Sequence, residues 1–452
     1  MKSFLARLLL AVTLIVSVAI GDSALAGGSG TSAPPLSSAT IKAAGGLLFR
    51  DPRNLRYPVS CRNGLMTGTN ASYSQYAMSN RRIKRNGKVA VTDLQAAIGN
   101  WYVNSAYAVT NGPNRIKVNY SIQYPRSGGK QYPFYVNGSR DIYIEPGQTV
   151  RAVEPTGLVI PQFANFYVLE YVTAVDSAGN QLTSGTFPSG RFTIGVSGGV
   201  EKQAFNAAAT DKTLTQDGET TAIVTQYNLF DALLLSGKPL YSNVSAPSYV
   251  LAGDSIMFGR REEDATSSDS DGNVGPMERA VCASGNAYGA INLGVSGTKA
   301  SDFKAITTGS NTQIVDLLRD VGTHVIDEFA VNDLSGSATA AQLESDQNTI
   351  GDWFRNTMGI RPILTTATPV ASSISVTNSV YNPKRVTYNA WVRSRSYSSS
   401  FVSYIELSDV YETVRDSGLW GSSSWTTDFI HPNATSNALV PTAVGDVGQY
   451  AQ

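Results

Sequence analysis

The sequence has no excess of charge of either sign. Its 452 residues include 35 lysines and arginines and 35 aspartates and glutamates, so the formal net charge is zero. Proteins whose main partner is nucleic acid or an anionic membrane usually carry a basic surface. The balance therefore argues against both partners. The length predicts two or three domains.

Long apolar runs are also missing beyond the N-terminus. There, the basic residues Lys2 and Arg7 precede an apolar segment, Leu8–Ile20. The residues Ala24–Ala26 then resemble the small-residue cleavage site of a signal peptide. This pattern is typical of an export signal, and the segment is shorter than the roughly 20 apolar residues that a membrane span needs. We expect residues 1–26 to be a cleaved signal peptide. The mature protein is then secreted, periplasmic or on the cell surface, without stable membrane insertion.

Cysteine is scarce, since Cys61 and Cys282 are the only two. In an oxidising compartment they could pair and link the N-terminal region to the C-terminal part. Two unpaired thiols would fit the sequence equally well, because sequence gives no distance between them.

The first half of the chain favours β-structure. Residues 27–110 show weak signals and are interpreted as a linker and irregular region, with the basic run Arg81–Arg85 as a solvated loop. In Asn114–Tyr124 apolar and polar residues alternate strictly, which predicts a half-buried strand. Short strands separated by turns over residues 111–200 predict an antiparallel β-sandwich or jelly roll, and residues 201–246 a connector. Further strands are predicted at 141–145, 165–175 and 191–196.

The second half, residues 247–452, has a different pattern of apolar residues. Short apolar runs alternate with helix-like segments, of which Ala338–Met358 has the clearest helical spacing. Strands that alternate with helices predict a parallel sheet with helices on both faces, and hence an α/β three-layer domain. The apolar runs are Tyr249–Ala252, Ala290–Val295, Val325–Val331, Ile363–Ala367 and Val402–Ile405.

The first candidate for chemistry is Ser255, in Gly253-Asp254-Ser255 directly after the run Tyr249–Ala252. A nucleophilic serine needs an exposed hydroxyl held beside a base, and a sharp turn after a strand provides that exposure. The tripeptide alone is weak evidence, because Gly21-Asp22-Ser23 repeats it inside the leader. Ligands of such folds bind at the carboxyl ends of the strands. Gly297 and Asn332 also follow apolar runs.

The base must be one of two histidines. His324 opens a predicted strand at the end opposite the expected site and is interpreted as structural. His431 lies three residues after Asp428, and one turn can present both side chains, with the carboxylate accepting the imidazole N–H. For the oxyanion, which needs donors fixed in advance, Gly297 offers a backbone N–H and Asn332 a side-chain amide.

Together these residues resemble the SGNH (GDSL-type) hydrolase family. The blocks occur in family order, as Gly253–Ser255, Gly297, Asn332-Asp333 and Asp428-x-x-His431. The resemblance covers roughly residues 247–452. One departure is Ala330, where the third block usually begins with glycine, and its methyl group could narrow the pocket.

The resemblance implies a flavodoxin-like three-layer fold and hydrolysis of esters, often acyl groups on carbohydrates or lipids. It implies Ser255 as nucleophile, His431 as base and Asp428 as its orienting acid. The oxyanion hole would come from the N–H groups of Ser255 and Gly297 and the amide of Asn332. The upstream β-rich part resembles the accessory β-domain of some bacterial and phage-associated members.

Two further motifs offer alternative sites. Gly195–Gly199 fits the G-x-S-x-G pattern with Ser197 as nucleophile, but it lies in the β-rich half, so chance is the better interpretation. Asp264, Asp269, Asp271 and Gly272 faintly resemble a calcium loop, yet their spacing does not meet the full pattern. We expect a solvated loop there, and neither a metal nor a cofactor in the mechanism.

The sequence therefore predicts a secreted serine esterase that hydrolyses O-acyl esters, with O-acetyl groups of an extracellular polysaccharide as the first expectation and another small ester as the alternative substrate. Two other functions stay open: an O-acyltransferase of the same fold, and a glycan-binding surface protein with an inactive hydrolase domain.

Overall fold

The computed structural model of the chain describes thirteen stretches of residues. They are 42–44, 47–49, 55–69, 76–190, 201–220, 229–241, 246–262, 269, 271–283, 287–309, 311–319, 321–394 and 401–451. The predicted signal peptide, most of the predicted linker, the strand at 191–196, the Ser197 motif and Asp264 lie outside these residues.

Antiparallel strands fill the first half of the described chain. One sheet has the order β10-β9-β13-β5-β15, with β11 also paired to β9, and a second has the order β12-β6-β16-β3. Smaller pairs are β1-β2, β14-β4 and β7-β8. The strands are β1 (Lys42–Ala44), β2 (Leu47–Phe49), β3 (Tyr57–Pro58), β4 (Met66–Thr69), β5 (Ala77–Arg85), β6 (Val91–Gly99), β7 (Trp101–Val103), β8 (Val109–Asn111), β9 (Arg115–Tyr124), β10 (Lys130–Pro133), β11 (Ile142–Ile144), β12 (Thr149–Val153), β13 (Asn165–Val175), β14 (Pro188–Gly190), β15 (Lys202–Phe205) and β16 (Leu234–Pro239).

The predicted β-domain is confirmed as antiparallel sheets. The alternating segment forms β9, whose Ile116 and Val118 are fully buried, and β13 matches the predicted strand at 165–175. Ile98 of β6 and Leu234 of β16 belong to the same apolar cluster as these side chains. The two main sheets thus share one core.

The solvated loop predicted at Arg81–Arg85 is wrong. These residues lie in β5, between β13 and β15 in the sheet, where Arg82 and Lys84 are buried. Both cations form ion pairs with Asp231, whose Oδ2 lies 2.5 Å from Arg82 Nη1 and 3.1 Å from Lys84 Nζ. A buried charge is tolerated only when it is paired, and this partner is remote in sequence.

The irregular region and the connector need the same correction. Residues 57–111 supply β3 to β8, and the span 201–246 supplies β15 and β16. Their strand signal is weak because buried polar and charged residues interrupt the apolar alternation. The antiparallel part therefore extends well beyond residues 111–200.

The second half forms a five-stranded parallel sheet in the order β18-β17-β19-β20-β23. This is the 2-1-3-4-5 order of flavodoxin-like folds. Its strands are β17 (Tyr249–Ala252), β18 (Ala290–Asn292), β19 (His324–Asp327), β20 (Arg361–Thr365) and β23 (Ser403–Ile405), and β21 (Ala371–Ser373) pairs with β22 (Val376–Thr377). The five predicted apolar runs thus supply the five strands.

Helices cover both faces of this sheet. Successive side chains of a strand point to opposite faces: Val250 of β17 clusters with Leu343 of α6, whereas Leu251 clusters with Met277 of α2. The three-layer prediction is confirmed. The helices are α1 (Ser255–Phe258), α2 (Pro276–Val281), α3 (Ala300–Lys304), α4 (Thr312–Leu318), α5 (Val331–Ser335), α6 (Ala340–Asp352), α7 (Tyr381–Ser394), α8 (Ser408–Tyr411), α9 (Ala434–Asn437) and α10 (Val440–Val444).

Shorter helical turns complete the described chain. The predicted helix 338–358 is α6 continued by a π-helical turn. Within the described stretches, no helix combines the length and apolarity that a membrane crossing requires. The π-helical turn is Trp353–Thr357, and the 3-10 turns are Asn206–Ala208, Ala305–Thr308, Ser423–Trp425 and Val447–Ala451.

The antiparallel part is fastened to the edge of the parallel sheet. Gly64 forms a parallel bridge with Asn292 at the end of β18, and Asn292 N–H donates to the carbonyl of Asn63 at 2.9 Å. Cys61 and Cys282 form a disulfide with a Cα–Cα distance of 6.2 Å. The pairing that the sequence left open is therefore made, next to the strand that leads to the candidate site.

Candidate active site

The turn after β17 places Ser255 at the start of α1. Asp254 caps this helix, since its Oδ1 accepts the N–H of Ile256 at 2.9 Å, which satisfies a donor that the first helical turn leaves unpaired. A Cβ on Gly253 would lie 2.5 Å from Met257 Cβ and 2.6 Å from Glu328 Oε2. Only glycine fits, so the turn can be sharp. Ser255 itself is 3% exposed.

The structure brings together the serine, histidine and aspartate that the sequence singled out. His431 Nε2 lies 2.8 Å from Ser255 Oγ, and His431 Nδ1 lies 2.9 Å from Asp428 Oδ2. Asp428 Oδ1 accepts the N–H groups of Ile430 at 3.0 Å and of His431 at 2.9 Å. This local turn fixes the spacing of the D-x-x-H motif and aims the imidazole at the serine.

Arg261 adds a cation that motif reasoning missed. Its Nε donates to Asp428 Oδ2 at 2.9 Å, and its side chain is 39% exposed. Partial burial opposes ionisation of Asp428, but the hydrogen bonds from His431 and Arg261 outweigh it and hold the pKa well below its usual value. The carboxylate is therefore ionised at neutral and moderately acidic pH. Arg261 is distant from Asp428 in sequence, so no local pattern indicates the contact.

Two candidate oxyanion donors lie on neighbouring loops. Gly297 has φ +87°, a left-handed conformation that favours glycine. In the described chain, neither its N–H nor that of Ser255 donates to a protein acceptor. The loop of Gly297 is tied to the nucleophile turn, because Val295 N–H donates to the carbonyl of Gly253 at 3.2 Å.

Asn332 lies in α5, and its Nδ2 donates to the carbonyl of Thr298 at 2.9 Å. An amide nitrogen carries two hydrogens, so this bond fixes the side chain and leaves a second donor. Ala330, the departure from the family pattern, is buried and precedes α5. Its backbone N–H and that of Asn332 favour the ionised form of Asp254 and partly offset the rise in pKa that burial causes.

A group of buried carboxyls lies beneath these loops, and the sequence analysis did not identify it. Glu328 Oε2 accepts Met257 N–H at 3.1 Å, and Asp333 Oδ2 accepts Ala300 N–H at 3.0 Å. Burial raises the pKa of Asp254 to about 6 and those of Asp327 and Asp333 to about 7. It also raises the pKa of Glu328 well above its usual value.

His324 is structural, as predicted. It opens β19, where Nδ1 lies 2.8 Å from Thr323 Oγ1 and Nε2 lies 3.1 Å from the carbonyl of Ala451. Burial lowers its pKa to about 3, so the imidazole is neutral at physiological pH.

In the described part of the acidic loop after α1, Asp269 and Asp271 contact other protein groups. Asp269 Oδ1 accepts the N–H of Asp271 at 2.8 Å, and Asp271 Oδ2 lies 3.0 Å from Arg85 Nη1. Among the described residues no group of three or more metal-ligating side chains occurs.

Comparison with known proteins gives one family match. The model of the GDSL-like lipase/acylhydrolase family matches residues 251–439. No curated protein matches the chain.

Similar solved structures cover less than half of the chain. A GDSL-like lipase from Bacteroides thetaiotaomicron is 14% identical, with 46% of this chain and 93% of that chain covered and a TM-score of 0.34. An acetylxylan esterase from Geobacillus stearothermophilus is 14% identical, with 44% and 92% covered and a TM-score of 0.32. A member of the lipolytic G-D-S-L family from Veillonella parvula is 14% identical, with 44% and 97% covered and a TM-score of 0.35.

Proposed function

Because residues 251–439 form a GDSL-like lipase/acylhydrolase domain, we propose that the protein is a serine esterase with Ser255, His431 and Asp428 as its catalytic residues. The hydrogen-bonded chain from Ser255 Oγ through His431 to Asp428, at 2.8 and 2.9 Å, carries this proposal. It supplies a nucleophile, a base in contact with it and a carboxylate that orients the base.

Acylation begins when Ser255 Oγ attacks the ester carbonyl carbon and its proton passes to His431 Nε2. A carbon–oxygen bond forms, and the carbonyl electron pair moves onto oxygen. When this intermediate collapses, the bond to the alkoxide breaks and the alkoxide takes the proton from His431. The alcohol leaves, and the acyl group remains on Ser255.

Deacylation repeats these steps with water. Water attacks the acyl carbon while His431 Nε2 takes one of its protons, and collapse of the second intermediate releases Ser255 Oγ. The serine oxygen recovers the proton, and the carboxylic acid leaves. Asp428 stabilises the imidazolium in both halves without taking up a proton.

The oxyanion is stabilised by the N–H groups of Ser255 and Gly297 and by Asn332 Nδ2. The two backbone donors lack protein acceptors among the described residues, and the bond from Asn332 to Thr298 holds the amide in one orientation. Donors fixed before the reaction need no reorganisation as the charge develops.

The substrate we propose is an O-acyl ester, first an O-acetyl ester, on an extracellular polysaccharide. The leader pattern of residues 1–26 and a disulfide between Cys61 and Cys282 support export, because disulfides persist in oxidising compartments. N-terminal sequencing of exported protein tests this location: Gly27 as the first residue is expected, and an intact leader would refute cleavage.

The test of the reaction is hydrolysis of p-nitrophenyl acetate, longer acyl esters and an acetylated polysaccharide by the purified protein. Ser255→Ala is expected to lower kcat by about 10⁴-fold or more. Ser197→Ala, the control at the competing motif, is expected to match wild type. Equal activity of Ser255→Ala and wild type would exclude Ser255 as the nucleophile. Acetyl transfer to an added sugar in preference to water would identify an acyltransferase.

A further inference from the structure

The antiparallel part reaches the candidate site through the turn between β7 and β8, which we name the 104–108 loop. Tyr107 is 1% exposed, although its neighbours Ala106 and Ala108 are exposed. Its φ is +57°, a conformation that is rare for a bulky residue. Asn104 Oδ1 accepts the N–H groups of Ala106 and Ala108, each at 3.0 Å. Such backbone strain persists only when the surroundings impose it.

The surroundings that hold Tyr107 belong to the α/β domain. Its hydroxyl donates to the carbonyl of Leu293 at 2.7 Å, and its carbonyl accepts from Asn311 Nδ2 at 3.1 Å. Its ring packs edge-on against Phe303 with centroids 4.8 Å apart. Burial raises the pKa of Tyr107 well above its usual value, so the hydroxyl keeps its proton and remains a donor.

Leu293 begins the segment that carries Gly297, which we name the 293–298 loop. Leu293 N–H donates to the carbonyl of Leu251 in β17 at 2.7 Å. The N–H of Leu293 is therefore held by β17 and its carbonyl by Tyr107. Farther along, Val295 is bonded to Gly253. Removal of the tyrosine hydroxyl would leave a buried carbonyl without this donor and loosen the start of the loop.

The exposed tip of the 104–108 loop lies beside Gly297. A methyl group built on the Cα of Gly297 would be 3.6 Å from Ser105 Cβ, which is ordinary van der Waals distance. Ser105 therefore borders the backbone that is assigned to the oxyanion, on the side facing the antiparallel part.

We propose that the 104–108 loop is part of the ester-binding site: Tyr107 is a positioning residue that holds the 293–298 loop, and Ser105 limits the size of the group bound beside Gly297. The inference rests on the proposed esterase function and extends it, since the antiparallel part then contributes directly to catalysis and specificity.

The role of Tyr107 is tested with Tyr107→Phe in the full chain. This change keeps the ring against Phe303 and removes only the hydroxyl. Its control is Tyr57→Phe, which removes a bond of the same length that is partly buried, from Tyr57 Oη to the carbonyl of Ala246 at 2.7 Å, near the N-terminal end of β17. We expect kcat to fall about tenfold in Tyr107→Phe with KM nearly unchanged, less than the loss of a whole oxyanion donor. The control should retain wild-type kcat.

Hydrogen exchange supplies a readout that does not depend on activity. The amides of residues 293–298 should exchange faster in Tyr107→Phe than in wild type or Tyr57→Phe. Wild-type kcat in Tyr107→Phe, or equal losses in both variants, would overturn the role of Tyr107. Failure of wild type to hydrolyse any ester would instead refute the proposed function, whereas a wild-type esterase with an unaffected Tyr107→Phe refutes only this inference.

The role of Ser105 is tested with Ser105→Trp against Ser177→Trp, an exposed serine in another turn of the antiparallel part. Two ester series are assayed, one varied in the acyl group and one in the alcohol. Ser105→Trp is expected to lower kcat/KM for bulky relative to small members of one series by about tenfold. Selectivity equal to that of Ser177→Trp in both series would overturn the assignment.

Discussion

At the residue scale, the two oxygens of Asp428 have separate tasks. Oδ1 accepts the N–H groups of Ile430 and His431 and so shapes the turn, while Oδ2 faces both His431 Nδ1 and Arg261 Nε. An ionised carboxylate can only accept, so Nδ1 of His431 carries the hydrogen. Nε2 is then the acceptor for Ser255 Oγ, which is the tautomer that general base catalysis requires.

Arg261 should influence the pH dependence of this group. Loss of the guanidinium raises the pKa of Asp428, because a favourable hydrogen bond to the ionised carboxylate disappears. Arg261→Gln is expected to move the acid limb of kcat/KM to higher pH by on the order of half a unit, a small effect because the side chain is partly solvated.

The measurement is kcat/KM against pH for wild type, Arg261→Gln and Arg415→Gln. Arg415 pairs with Asp409 and its side chain is exposed, so Arg415→Gln controls for the loss of one positive charge. An acid limb displaced equally in both variants, or displaced to lower pH by Arg261→Gln, would contradict the local interaction.

The three residues of the proposed catalytic group could be found from the sequence because each lies in a short local pattern. Asp428 and His431 are three residues apart, and Ser255 follows a recognisable strand. Arg261 and Tyr107 could not be found in this way, because their partners Asp428 and Leu293 are separated from them by 167 and 186 residues. Only the fold creates those contacts.

At the scale of elements, the carboxyl end of β19 concentrates acidic groups under the nucleophile turn. Asp327 and Glu328 are buried there, close to the turn that contains Asp254. Burial favours the neutral form of each carboxyl. The backbone at the strand ends therefore positions the site, and the buried acidic side chains there make the stability of this region depend on pH.

Asp327 gives the most direct test of this dependence. Its folded-state pKa is raised to about 7 by burial, above the usual value in an unfolded chain. The contribution of this group to the free energy of unfolding is therefore fully present below about pH 4 and is lost as the pH rises towards 7. The loss is about 1.4 kcal/mol per pH unit while Asp327 is ionised only in the unfolded chain. Asp327→Asn removes this ionisable group and should reduce the total decline in the free energy of unfolding between acidic and neutral pH by on the order of 2–4 kcal/mol.

Urea unfolding at pH 4, 5, 6, 7 and 8 measures the effect. Asp352→Asn, on the exposed side of α6, is the control. If Asp327→Asn lost stability with rising pH in parallel with wild type and the control, Asp327 would not be protonated in the folded state at pH 6.

The elements themselves were predictable where the pattern was pure. The five strands of the parallel sheet are short apolar runs, and β9 alternates without exception, so periodicity located them. β5 failed because Arg82 and Lys84 occupy buried positions. Their charges are compensated by Asp231, which comes from the other end of the antiparallel part, and one-dimensional periodicity does not include such a partner.

At the scale of the whole molecule, the antiparallel part and the α/β domain meet along the strand next to the nucleophile strand. Residues 60–64 bond to β18, the 104–108 loop holds the 293–298 loop, and the disulfide joins Cys61 to Cys282 at the end of α2. These contacts lie on one side of the candidate site. The sequence indicated the two architectures and left the pairing of Cys61 with Cys282 open, but it did not indicate the loop-to-loop contacts of this junction, because they leave no periodic pattern.

The disulfide should contribute a large share of the stability of this junction. It closes a segment with a sequence separation of 221 residues, and constraint of so long a loop in the unfolded chain stabilises the folded state by up to about 5 kcal/mol in the chain-entropy description. The double variant Cys61→Ser/Cys282→Ser is therefore expected to unfold at a lower urea concentration than oxidised wild type. Reduced wild type should unfold close to the double variant, since it lacks the same cross-link. Identical midpoints for the double variant and oxidised wild type would mean that the noncovalent contacts of residues 60–64 and of the 104–108 loop hold the two parts together unaided.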